Sequence, residues 1–284
     1  MDSQAAVAHA YQTGLAEWGG GFTLRDVPTE VPDSERVEAG VLLTSALILI
    51  PSQSPLDDVR VRQALAHALD REQLLEVVSG KHLPWNGGGL VPPGMAGHSP
   101  EIGLEYNLDK ARKLLAEASY AGGQNFPVLK YYYPDFSPPS IRDGLQQQLS
   151  EHLGIHLEMV SMSREVPWWT VKDAHLQSEG WRADYPDPDN FLRQSSFYFT
   201  LRNRGWHHSR FEQLLETAAR TPDRARRLAM YREADRILVD EAVVVVPLFY
   251  FTDLTIDLLK LWVKGFTMNA LNWCSSKNVV IEPH

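Results

Sequence analysis

The amino-acid sequence predicts an α/β fold, a mixed β-sheet flanked by helices. Three observations predict it. Two continuous apolar runs, Val41–Ile50 and Ala242–Phe251, have the length and composition of strands buried on both faces. The segments Val128–Tyr133, Ile141–Leu153 and Ile155–Ser161 read as strand, helix and strand at short spacing, the order of a βαβ unit with parallel pairing. Helices of amphipathic period fill much of the remaining chain. A length of 284 residues allows one large domain or two modest ones, either with a proper core.

Residues 1–25 begin with an Ala-rich helical pattern that ends at Gly19-Gly20-Gly21, read as a flexible break. Residues 26–40, with Pro28, Pro32 and five acids, read as a loop. Pro51 and Pro55 stop the first buried strand. Asp58 then caps a helix that runs to Gly80, with Val61, Leu65, Ala68, Leu69 and Leu74 as its apolar stripe. Residues 81–100 form a long Gly- and Pro-rich loop, of the kind that is functional or wraps another element. Asn107–Tyr120 is a second helix, followed by the βαβ unit. Lys172–Glu179 carries only a weak pattern. Arg210–Ala219 and Asp223–Glu241 are amphipathic helices, the second turning Leu228, Tyr231, Ile237 and Leu238 inward. After the second buried strand, Leu254–Trp262 reads as a strand or short helix and Val279–Ile281 as a terminal strand.

Composition removes several function classes. A net charge of −9, without a Lys/Arg cluster interleaved with aromatics, argues against nucleic acid as a partner. Cys274 is the single cysteine, so no intramolecular disulfide and no cysteine-rich metal site are expected. The first residues lack the basic-then-apolar pattern of a signal peptide, and the apolar runs are too short to span a bilayer. Nucleophilic catalysis has no GxSxG elbow, and phosphate binding has neither a Walker loop nor GxGxxG after a strand. No cofactor is expected, and catalysis is the weaker class, surviving only as a carboxylate-dependent hydrolase.

The segment Gly180–Leu192, GWRADYPDPDNFL, concentrates the chemistry. It places Trp181 and Tyr185 around Asp184, Asp187 and Asp189. Pro186 and Pro188 bias their preceding residues away from helix, so the segment reads as a strand end running into a stiff loop. Two readings stand for it. One is a solvated acidic turn, and the other is a rigid surface recognising a cationic or amine-bearing ligand. A calcium loop fails, because the sixth and twelfth positions counted from Asp184 are Asp189 and Ser195 rather than Gly and Glu. His207-His208 has no metal-ligating partner motif and reads as solvated loop. Trp168 and Trp169 are candidate cleft walls beside the motif.

The ordered motifs resemble one family. SPLDDVRVRQALAHALDREQLLEVVSG resembles a helical segment of the family 5 extracellular solute-binding proteins, the oligopeptide, dipeptide and nickel receptors of bacterial ABC importers. GGGLVPPGMAGHSP and YNLDKARKLLAEASY are similar to the segments that follow it there. GWRADYPDPDNFL is similar to the family's gW-aDy-DP-nfl signature. FEQLLETAARTPDRARRLAMYREADRILVDEAVVVVPLFY and VKGFTMNAL resemble its late helices, strand and tail. The resemblance spans roughly residues 40–270.

It implies a lobe of the type II periplasmic-binding-protein kind. The expected division is a remnant and linker over residues 1–40, the C-terminal lobe over 41–270 and a return strand over 271–284. The N-terminal lobe of the longer family receptors is expected to be missing. The resemblance also implies that Asp184 pairs with a peptide's α-ammonium group and that Gly180, Trp181 and Arg182 meet the peptide main chain, with Tyr185 and Trp169 beside them. The implied partners are a small peptide or other amine-bearing solute and, for the complete protein, an importer permease. The implied setting is periplasmic or extracellular, with a lipid anchor. A ligand-sensing domain of a fused regulatory protein is the alternative. Residues 172–179 look shortened against the family pattern, which puts the pocket wall beside Asp184 in question.

Overall fold

The computed structural model describes every residue except 1–3, 24–25, 39, 81–82, 84, 86, 164, 166–169, 252–254, 268, 270, 272–275 and 284. Helix α1 (Gln4–Gln12) leads into strand β1 (Trp18–Thr23), so Gly19-Gly20-Gly21 lies within a strand instead of breaking the chain. The glycines serve a close approach. A Cβ on Gly20 would sit 2.7 Å from the Trp18 ring, and Asp257 accepts from Gly21 N at 2.8 Å and Trp18 Nε1 at 3.2 Å. Part of the expected loop is likewise a strand, β2 (Arg36–Glu38).

Strand β3 (Leu43–Leu49) forms as its apolar run requires. The helix expected to reach Gly80 is instead two, α2 (Val59–Ala68) and α3 (Arg71–Ser79). Asp58 caps the first by accepting from Arg60 N, and Asp70 starts the second by accepting from Gln73 N at 3.0 Å. The break has a tertiary cause. Gln148 accepts from Asp70 N at 2.8 Å and donates to Asp70 O at 3.1 Å, which pulls this peptide out of the helical ladder. Gly80, at φ 71°, closes α3 in the left-handed conformation.

Next come α4 (Leu108–Glu117), capped by Asn107, and β4 (Leu129–Pro134), α5 (Pro139–Leu153) and β5 (Leu157–Met162), the expected βαβ unit. The weak segment before the acidic motif is β6 (Leu176–Arg182), a strand of the sheet interior. Beyond it lie α6 (Pro188–Leu192), an unanticipated α7 (Ser196–Asn203), α8 (Ser209–Ala219) and α9 (Arg224–Arg236), which continues as a π turn to Glu241. Strands β7 (Val245–Tyr250), β8 (Thr255–Leu259), β9 (Val263–Lys264) and β10 (Val280–Ile281) complete the elements.

The main sheet has five strands in the order β5-β4-β6-β3-β7. β4 runs parallel to β5 and β6, whereas β3 is antiparallel to β6 and β7. Alternation along β3 explains the layers. Leu47 and Leu49 enter a core built with α2, α3, α4 and α5, while Ala46 and Ile48 enter a second core with α6, α7, α8 and α9. A separate three-stranded sheet, β1-β8-β2, buries Phe22, Ile256 and Leu258 against Tyr11 of α1. β9 and β10 pair antiparallel as a short ribbon.

Candidate ligand-binding site

The sheet opens where β4 and β6 part. Their parallel register holds only Tyr131 to Leu176 and Tyr132 to Gln177, although β6 continues to Arg182 with β3 beside it throughout. Residues 178–182 therefore have no strand partner on the β4 side among the described residues. The opening lies at the carboxyl ends of two parallel strands, the place where open α/β sheets take ligands. β4 keeps its register with β5 as far as Pro134 and Met162, while its pairing with β6 has already ended at Tyr132, and the chain then turns through Phe136.

Two adjoining cavities fill the gap. One, of about 340 Å³, is walled by Pro134, Phe136, Met162, Gln177, Glu179 and Trp181. The other, of about 480 Å³, extends over Leu43, Ser45, Phe249, Phe251, Gly180 and Arg182. Pro134, Phe136, Ser178, Glu179 and Gly180 belong to both. Apolar walls with a few convergent polar groups are the usual make-up of a small-ligand site.

At the end of β6, Asn190 sets the acidic motif in place. It is fully buried at the start of the α6 region, and its Oδ1 accepts from Trp181 Nε1 at 2.8 Å and from Asp184 N at 3.1 Å. Its Nδ2 donates to Asp184 Oδ2 at 3.2 Å. Asp184 is exposed, and its second oxygen accepts no bond among the described residues. Trp181 packs its ring against the core beneath α6 and α8. The carboxylate is thus oriented from behind and open in front.

The other two acids are occupied inside the fold. Asp187 caps α6 by accepting from Asp189 N at 3.0 Å and takes a bidentate bond from Arg227, at 2.7 Å to each oxygen. That pair raises the Arg227 pKa above its ordinary value. Asp189 is buried and accepts from Arg193 Nη2 at 2.7 Å, Tyr231 Oη at 3.0 Å and Tyr185 Oη at 3.2 Å. Desolvation, with the Asp189 charge beside it, pushes the Tyr231 hydroxyl up to about 12.

The residues expected to bind ligand divide by position. Gly180 borders both cavities, Trp181 the smaller and Arg182 the larger. Asp184 and Tyr185 stand past the end of β6, outside the walls of both. Trp169, with Trp168, lies outside the described residues. His208 caps α8 by accepting from Phe211 N at 3.2 Å, and His207 reaches Glu212 Oε1 at 3.2 Å. Among the described residues no group of three or more His, Cys, Asp or Glu is placed to hold a metal.

Sequence reasoning passed over Glu179 and Phe136. Glu179 is buried on β6, where Gln177 Nε2 donates to its Oε1 at 2.9 Å and the Thr200 hydroxyl donates to the same oxygen. Burial pushes its carboxyl up to about 7, while the Thr200 and Ser196 hydroxyls and the Arg204 charge pull it down. A readable signal existed, because Gln177-Ser178-Glu179 is a polar run leading into the motif. Polar side chains at such positions weaken a strand pattern and mark a lined cavity.

The model of the family 5 bacterial extracellular solute-binding proteins, in its middle part, matches residues 1–200. The chain belongs to that family. Members of family 5 similar to it include the periplasmic oligopeptide-binding protein OppA of Escherichia coli (strain K12), 26% identical over 271 residues. That match covers 90% of this chain and 48% of OppA. The dipeptide-binding protein of the same organism is 28% identical over 249 residues, covering 81% of this chain and 44% of its own length. Among solved structures, a periplasmic oligopeptide-binding protein of Borrelia burgdorferi superposes with a TM-score of 0.79 at 24% identity. That superposition covers 95% of this chain and 55% of the other. The fold is therefore that of the type II periplasmic binding proteins, and the chain spans about half the length of the curated relatives it matches. Family 5 consists of binding proteins rather than enzymes. No helix among the described residues is long and apolar enough to cross a membrane.

Proposed function

We propose that this chain forms one wall of the ligand cleft of a peptide receptor serving an ABC importer. The observation that carries the reading is the unpaired edge of β6 over residues 178–182, ending beside the oriented, open carboxylate of Asp184. An extended peptide adds to such an edge through its main chain, and an acid at the end of that edge receives the α-ammonium group. Gly180 lies on that edge and borders both cavities; Trp181 walls the smaller and Arg182 the larger. The relatives named for oligopeptides and dipeptides support the same class of ligand.

In this reading residues 41–270 act as one lobe that closes on a ligand held against a second, residues 1–40 join it, and 271–284 return to it. The receptor works outside the cytoplasm, tethered by lipid and delivering to a membrane permease. Asp187 and Asp189 shape the turn.

The test is titration calorimetry of trialanine on the complete polypeptide, with any segments beyond these 284 residues. Asp184→Asn keeps the shape and an acceptor for Asn190 but turns an amide toward the ammonium. A charge-assisted bond of about 1.5–3 kcal/mol sets the expected loss at roughly tenfold to 150-fold in Kd. Unchanged affinity would remove Asp184 from the anchor role.

A further inference from the structure

Three buried polar atoms of residues walling the 340 Å³ cavity lack hydrogen-bond partners, Glu179 Oε2, Gln177 Oε1 and Ser196 Oγ. Glu179 Oε2 and Gln177 Oε1 are acceptors, in residues exposed to 8% and 0%, and the Ser196 hydroxyl carries a single proton that can serve only one of them. Buried acceptors in native folds are nearly always satisfied, and a carboxylate oxygen left without a donor is costly. The remaining Glu179 oxygen is already held by Gln177 and Thr200, which fixes the carboxylate in one orientation.

The nearest cation does not answer it. Arg204, just past α7, contributes a charge that Glu179 feels, yet the two make no ion pair, and the guanidinium nitrogens are themselves buried without partners. With one Ser196 proton for two acceptors, the remaining demand falls to a donor arriving from the cavity. The approach is apolar, over Pro134, Phe136, Met162 and Trp181. That combination matches one kind of group, a cation on a hydrocarbon stem, whose methylenes lie along the walls while its head reaches the carboxylate. The volume is at the low end for small-ligand pockets, suited to one side chain rather than a whole peptide.

We propose that this cavity is a specificity pocket for a lysine-type side chain of the bound ligand, with Glu179 as its acceptor and Gln177 completing the floor. The proposal rests on the peptide reading above and adds a side-chain preference to it. Asp184 and Glu179 then divide the recognition. One takes the main-chain ammonium common to all peptides, and the other takes a side chain that only some carry.

The experiment measures Kd on the complete polypeptide for tripeptides with one variable residue in an alanine background. Lysine, norleucine or glutamate is placed at each position in turn, with trialanine as reference and cadaverine as a free diamine. At one position the lysine peptide binds at least about tenfold tighter than the norleucine peptide, the yield of one charge-assisted bond. Glu179→Gln brings that ratio close to one, whereas Asp184→Asn weakens every peptide and preserves the ratio. Peptides that bind with lysine and norleucine equal at all positions overturn the pocket and leave the peptide reading standing. This comparison needs no variant, so a folding defect in Glu179→Gln cannot obscure it. Cadaverine binding as tightly as the best peptide, and losing it in Glu179→Gln, upholds the cation site and overturns the peptide reading. No binding by any probe overturns both.

Discussion

Asn190 joins the strand end to the carboxylate, and its removal has a calculable effect. Asn190→Leu keeps the volume and deletes the acceptor of Trp181 Nε1 and Asp184 N, 2.8 and 3.1 Å away, together with the donor to Asp184 Oδ2. Both stranded N–H groups are partly buried, so each costs less than the ~1–3 kcal/mol of a fully buried orphan, and the pair roughly 2–4 kcal/mol. Urea unfolding should show a lower midpoint at unchanged slope, the mark of altered stability rather than altered unfolded state. Trialanine affinity should fall several-fold as well, because Asp184 loses its orienting bond. Asn190→Asp is the paired variant. It keeps both acceptors but sets a second carboxylate 3.2 Å from Asp184 Oδ2. The like charges repel, so the pair keeps one proton to higher pH than a lone carboxyl does. A carboxyl raised in the folded state gives stability at low pH that is lost as pH rises above its unfolded value near ~4. Asn190→Asp should thus approach wild type at pH 4 and fall away by pH 7. A change below about 0.5 kcal/mol in Asn190→Leu, with unaltered peptide affinity, would refute the role given to this side chain.

Two further outcomes follow from the fold. Glu179 and Asp235 are buried acids pushed up to about 7, chiefly by desolvation, so wild-type stability should decline as pH rises from about 4.5 to 7 and level off above; thermal melts across that range should show a shallower decline in Glu179→Gln, and an identical slope would contradict the burial of this carboxylate. Gly123→Ala would put a methyl 2.6 Å from the carbonyl oxygens of Leu153 and Gly154 at φ 76°, so denaturant titration should show a loss of at least about 2 kcal/mol.

Periodicity and apolar content were enough, without coordinates, to establish the α/β class, the buried runs that became β3 and β7, the βαβ unit and the late helices. These are local quantities, since an apolar run or a 3.6-residue period needs no knowledge of its neighbour. The acidic motif was legible for the same reason, because its prolines and capping acids act over a few residues. Other features depended on partners distant in sequence. The split of α2 from α3 comes from Gln148, 78 residues away. The strand at Gly19–Gly21 exists because Asp257 and β8 meet it, 236 residues on. Likewise β6 carries Gln177, Ser178 and Glu179 into a buried position that no propensity favours, because Tyr131 and Thr200 satisfy part of their polar demand. The composition of the chain thus determined what kind of sheet would form and gathered three acids at the end of one of its strands. Where that sheet opens, and which carboxylate lies in the opening, was decided only when β4 parted from β6 after Tyr132 and left the edge of β6 unpaired.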